Sequence, residues 1–297
     1  MVVQQQNQPP LFEVKKALDH GVTNPIVARL TLQTLEILEK TTLSKEARDK
    51  IGAVLMNSLV QKLLRCSEIE QRLRAQWEKS VASFKLPARG AVAVEVPQIL
   101  RLREDCEDFL YSAKNFLRDL VTVFSALHGS AYKDASDWTP VGKRTDSVIT
   151  YAQKKYGENH VNAKYFAQLP ACVMPLVEMR NAVEHPGDRS GTLITENIVL
   201  KNGRELVPPL WRRAKDSTIA YGPLPIIDDM RVAVSNLLIL AEDVVVMWAI
   251  DHLDPPNAME IFAVPEAKRD PHCAIKYKTK PSAALLQQII AAQAAKR

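Results

Sequence analysis

Apolar residues recur at intervals of three and four through much of the chain, most regularly between residues 97 and 128. Ile99, Leu102, Cys106, Phe109, Ala113, Phe116, Leu120, Val123 and Leu127 fall on one face of a single long helix. His128-Gly129 ends it, because glycine readily takes the left-handed conformation just past a helix C-terminus. A second stripe runs beside the first: Asp105, Asp108, Ser112, Asn115 and Asp119. It reads either as a solvated face or, in part, as the lining of a polar cleft.

The same periodicity predicts helices on both sides. Residues 1–10 are rich in Gln and Pro and are expected to be disordered, whereas 11–96 form an N-terminal helical region. Asn24 is placed to cap a helix with Pro25 at its first position. Ser44 caps the next helix, which carries Ile51, Leu55, Leu59 and Leu63 on one face. A separate charged run follows at 67–85, and then "KLPARGAVAV", whose Pro and Gly mark a domain boundary before residue 97. Residues 140–157 predict a shorter amphipathic helix. In "YFAQLPACVMPLVEMRNAVEH" Pro170 and Pro175 delay the regular helix until about 170–175.

Past His185 the pattern changes to β-branched runs around Asn202-Gly203, which predicts a β-hairpin inserted at about 190–213. Ile227, Met230, Val234, Leu237, Ala241, Val244 and Trp248 then define a final long helix over about 226–252. The tail, 256–297, reads as two short strands and an Ala-rich helix. It holds seven basic and three acidic residues, so most of the net charge of +5 sits there.

Composition narrows the class. With 297 residues and 46% hydrophobic content the chain can bury a substantial core. A pI near 8.9 is compatible with a nucleic-acid partner without requiring one. Cys66, Cys106, Cys172 and Cys273 are far apart and form no CxxC pair, which argues against a zinc site and for reduced, mostly buried thiols. The N-terminus lacks the charged and apolar regions of a signal peptide, and no membrane span is expected, so the location is read as cytoplasmic. No metal or cofactor is called for: GxGxxG, the P-loop lysine, HExxH and GxSxG are all missing. His128 and His252 end helices, where a cation favours the negative end of the dipole.

The chemistry concentrates in "VEMRNAVEHPGDRSG". Arg180 shares a helix face with Val173 and Leu176, an inward position that is costly for a charge unless it is paired or solvated. His185 follows at the helix end, before a Pro-Gly stop. Two cations so close would repel each other unless they share an anion. A nucleic-acid phosphate is one such anion; Glu184 either pairs with Arg180 at the helical i+4 spacing or stands exposed.

"RNAVEH", after an apolar helix and before a proline, resembles the signature of HEPN domains: Arg, a polar residue, three more residues, then His. The resemblance covers about 97–255 and implies a mainly α fold, a helical bundle of HEPN type. The β-hairpin would be an insertion in it and the N-terminal helices an extension. It implies a metal-independent endoribonuclease, possible roles in defence or toxin-like growth control, and a homodimer in which two motifs meet. An antitoxin or regulatory protein is an implied partner class. Arg180, His185 and Asn181 are then the catalytic candidates, supported by Glu184, Asp108, Asn115 and Asp119. Lys201, Arg204, Arg212 and Arg213 on the hairpin are candidates for tracking the RNA backbone. The alternative is a non-catalytic module binding nucleotide, RNA or a protein. Some toxin members carry a tyrosine two residues after the histidine; here that position is Gly187.

The residue types suit the implied reaction. RNA supplies its own nucleophile, the 2′-hydroxyl, so a protein need only move its proton and stabilise charge on the phosphoryl group. Imidazole suits the first task and a guanidinium fork the second.

Overall fold

A computed structural model describes residues 19–86, 93–140 and 145–294. The expected disordered start at 1–10, most of the boundary segment and the last three residues lie outside this range. The fold is mainly helical, with small antiparallel sheets.

The N-terminal helix is built as three pieces in line: α1 (Pro25–Ala28), a π-helical turn (Arg29–Gln33) and α2 (Thr34–Glu39). Asn24 caps it as expected, its side-chain oxygen accepting from the Ile26 N–H at 2.9 Å. Ser44 caps α3 (Lys45–Val54), accepting from the Ala47 N–H at 3.2 Å. The break expected before 67 is missing. A π turn at Leu55–Leu59 carries the helix directly into α4 (Val60–Ser83), and no Pro or Gly interrupts that passage.

Helix α5 (Leu102–His128) is the centre of the molecule, stopped by Gly129 at φ +65°. All nine residues of the expected stripe are buried, but Ile99 precedes the helix, which starts at Leu102 rather than near 97 because Arg101 is left-handed; Leu110, Leu117, Val121 and Phe124 are buried as well. The buried surface is wider than a single stripe because α5 has neighbours on several sides. It packs against α4, α8 (Pro170–Glu184) and α9 (Ile226–Ile250). The acidic stripe meets α4: Asp105 pairs with Arg72, Asp108 with Arg65 at 3.1 Å, and Asp119 with Lys62 and Ser58. Its three carboxylates form interhelical ion pairs, and the Asp108–Arg65 pair is exposed, as the solvated-face reading expects.

The expected boundary near 96/97 does not divide two cores. One hydrophobic cluster includes Leu30, Leu59 and Leu73 from the N-terminal helices together with Phe116, Val173 and Trp248. Between α5 and α8 lie a 3-10 turn at Ala135–Trp138 and two short helices, α6 (Val148–Tyr156) and α7 (Val161–Ala167). Trp138, fully buried, donates its indole N–H to the Leu117 carbonyl at 2.9 Å.

The inserted hairpin is larger than expected. Strands β1 (Thr192–Glu196), β4 (Leu210–Lys215) and β5 (Thr218–Pro225) form an antiparallel sheet in the order β1-β4-β5. Strands β2 (Val199–Lys201) and β3 (Glu205–Val207) extend from it, turned by Asn202 and Gly203 at φ 51° and 66°. β5 went unread because "YGPLP" looks like loop; a sheet edge tolerates prolines that an interior strand does not. Trp211 plugs the sheet onto the bundle, its ring 6.2 Å from Phe109 and its N–H 2.7 Å from Asp229.

The tail forms β6 (Met259–Ala263), β7 (Tyr277–Pro281) and α10 (Ala283–Ala294), the two strands and helix its pattern predicts. It is tied to the N-terminal π turn: Gln33 Oε1 accepts from the N–H groups of Lys276 and Tyr277 at 2.6 and 2.7 Å. Beneath lies Glu242, 0% exposed, paired with Arg29 and with Lys276 at 3.2 Å. Glu242 thus joins the N-terminal π turn, α9 and the tail.

His128 is not the C-terminal cation its position suggested. Its ring packs 4.2 Å from Phe124, and burial, with Lys155 and His252 nearby, pushes its pKa down to about 3. Among the described residues, α9 alone has the length and apolarity to cross a membrane, and 56% of that apolar window is buried in the core.

Candidate active site

Helix α8 delivers the motif. Pro170 stands at its first turn, Pro175 is accommodated within it, and regular structure ends at Glu184. His185 leaves the helical conformation with φ −132° and ψ 71°, its N–H still bonded to the Asn181 carbonyl at 2.9 Å. The chain then turns sharply. The Gly187 N–H donates to the Gly191 carbonyl at 3.0 Å and the Gly191 N–H to the Asp188 carbonyl at 2.7 Å. Both glycines have φ near +80°, so a tyrosine at 187 would be strained in this turn.

Arg180 and His185 both face the Glu184 carboxylate. The same carboxylate oxygen, Oε2, pairs with Arg180 and lies 3.8 Å from His185 Nε2. The Arg180 side chain is only 15% exposed, with its guanidinium 5.1 Å from the centre of the Tyr111 ring on α5. His185 differs: its side chain is 62% exposed.

Asn181 points toward α5, where Lys114 donates to its Oδ1 at 2.7 Å. Burial, and next the charge of Arg180, hold the Lys114 ammonium below its ordinary pKa. Lys114, Asn181, Glu184, His185, Arg189 and Ser190 line an open cleft of about 450 Å³. Asp134 and Asp188 bring carboxylates to the same cleft, so its electrostatics are mixed. Arg180 sits behind Glu184 and does not line it.

The other sequence candidates go elsewhere. Asp108 and Asp119 are engaged with α4, and Asn115 is half-buried on the same helix without lining the cleft. Lys201 and Arg204 are exposed near the hairpin tip, and Arg212 pairs with Glu196. Arg213 is a correction: it is 6% exposed, pairs with Glu178 and donates to the Ser190 carbonyl at 2.9 Å. It fixes the turn after the motif rather than presenting a free charge to a ligand. None of these four cations lines the cleft.

Sequence reasoning missed Lys114, Tyr111, Arg189 and Ser190. Tyr111 and Lys114 are three apart and so neighbours on one helix face, a spacing that was legible without revealing that α8 lay opposite. Among the described residues no three His, Cys, Asp or Glu side chains group as metal ligands would. No known protein family, curated protein or solved structure matches the chain.

Proposed function

We propose that this protein is a metal-independent endoribonuclease of HEPN type, acting in the cytoplasm as a homodimer in defence or growth control. The observation that carries the reading is the position of His185, exposed at the rim of a cleft and one residue past a carboxylate that it shares with Arg180. The metal independence and the dimer come from the resemblance of "RNAVEH" to the HEPN signature.

His185 is the proton-transfer group. The RNA 2′-oxygen attacks the adjacent phosphorus and gives up its proton, forming the new P–O2′ bond. The P–O5′ bond breaks, and the departing 5′-oxygen takes a proton. The products are a 2′,3′-cyclic phosphate and a 5′-hydroxyl, with no net gain or loss of protons. Arg180 stabilises the charge that builds on the phosphoryl oxygens once it is released from Glu184. Exposed Lys201 and Arg204 extend the electrostatic footprint beyond the cleft.

The test is cleavage of mixed RNA in EDTA by wild type and His185→Ala. The expected result is wild-type-only fragmentation ending in 2′,3′-cyclic phosphates. Equal fragmentation by both proteins would overturn the assignment of His185. One observation favours a second reading, a non-catalytic binding module: in the empty site Arg180 is paired with Glu184 and does not line the cleft. Intact RNA with both proteins, together with measurable RNA binding, would select it.

A further inference from the structure

We propose that Lys114 is a phosphate-contacting cation of the cleft, and that Glu184 is a built-in counter-ion which an incoming phosphodiester displaces from Arg180. The inference rests on the reading of the cleft as an RNA site and adds a residue and a mode of entry to it.

The asymmetry between Arg180 and Glu184 sets the direction of exchange. Arg180, whose side chain is 15% exposed and lies against an aromatic ring, is costly to leave without an anion beside it. Glu184 is 42% exposed and stands at the last helical position, so it can swing into water with its charge solvated. Arg180 therefore stays and Glu184 leaves. An exchange of one anion for another keeps the guanidinium neutralised throughout.

Lys114 gives the exchange its selectivity. Its partner, Asn181 Oδ1, is a neutral acceptor that occupies one of three ammonium N–H donors. Its charge is disfavoured first by burial and then by Arg180 across the α5–α8 contact, with Asp134 opposing. Arg180 and Lys114, on facing helices, thus act on each other while Glu184 pairs with Arg180, and a phosphodiester supplies oxygens for both cations. Lys114 lines the cleft, so a ligand entering it meets the ammonium before Arg180.

The test uses single-stranded RNA carrying 2′-O-methyl riboses, which cannot be cleaved because the nucleophile is blocked. Glu184→Gln is expected to bind it about tenfold more tightly than wild type, the worth of one charge-assisted hydrogen bond. Lys114→Met is expected to bind about tenfold more weakly, with the salt slope reduced by about 0.7, and Lys114→Arg to restore both. Thermal melts of each variant establish that it is folded. If wild type cleaves natural RNA through His185 but Glu184→Gln binds no more tightly, the counter-ion role is overturned while the site stands. If Lys114→Met leaves affinity and salt slope unchanged, the role of Lys114 is overturned. If neither wild type nor Glu184→Gln binds the modified RNA, and wild type leaves natural RNA intact, the RNA reading fails and this inference with it.

Discussion

The ammonium of Lys114 lies 2.7 Å from the side-chain oxygen of Asn181, across 67 positions of chain. The contact couples the central helix to the motif helix at the cleft. Asn181→Ala should lower stability by about 1–2 kcal/mol, since it strands a half-buried donor. Asn181→Asp should keep the fold by turning the contact into an ion pair, yet weaken RNA binding by adding negative charge to the cleft. Denaturant unfolding and RNA titration of the two variants separate these effects.

Glu242 joins the N-terminal π turn, α9 and the tail. It is buried with Arg29, Gln33 and Lys276 around it. Glu242→Ala leaves two cations facing each other without their anion and should cost about 3–5 kcal/mol in urea unfolding. A loss below about 1 kcal/mol would show that the tail is held by its backbone bonds to Gln33 instead.

Gly191 closes the turn after the motif at φ +81°, where an added Cβ would overlap the Ala214 carbonyl oxygen. Gly191→Ala should destabilise by on the order of 2 kcal/mol or more and displace His185 relative to the cleft. Gly187→Ala has open space around it and suffers only the backbone cost, so its loss should be smaller. Melting temperatures of the pair give the comparison directly.

His128 makes stability fall on acidification. Its native pKa is held near 3, below the value of about 6.5 for an unfolded histidine, so the unfolded chain binds the extra proton between those limits. The contribution is intact above pH 6.5 and is lost progressively toward pH 3. The slope is at most about 1.4 kcal/mol per pH unit, lessened by the partial exposure of the ring. His128→Gln should flatten the stability–pH curve across this window.

The hairpin cations should split by burial. Arg213→Ala should cost about 2–3 kcal/mol, because it strips Glu178 and the Ser190 carbonyl of their partner. Lys201→Ala and Arg204→Ala should leave stability within about 0.5 kcal/mol. If RNA tracks the hairpin, each should reduce the salt slope of binding by about 0.7. Unfolding curves and binding at several salt concentrations check both halves.

Much of the architecture was legible because it depends on neighbours in sequence. The Asn24 and Ser44 caps, the Gly129 stop, the buried face of α5 and the Asn202-Gly203 turn all follow from contacts within a few residues. The motif was legible in the same way: Glu184 stands four residues from Arg180 and next to His185, so their common carboxylate is a local arrangement. The chain from Lys45 to Ser83 was divided before 67, where the sequence turns rich in charge, although Ile69 and Leu73 continue its buried face.

What the sequence by itself determined is the long helices α5, α8 and α9, the apolar faces of α5 and α9, and the place where a helix ends in Arg, Asn, Glu and His. What only the tertiary structure decided is which polar residues meet. Asp105, Asp108 and Asp119 looked available until α4 brought Arg72, Arg65 and Lys62 to them. Arg213 looked like a surface cation until the sheet folded over Glu178. Lys114 carried no signal until α5 crossed α8. The reason is physical: a backbone turn is stabilised by atoms a few bonds away, whereas a charge is stabilised by whatever anion folding brings within a few ångströms of it.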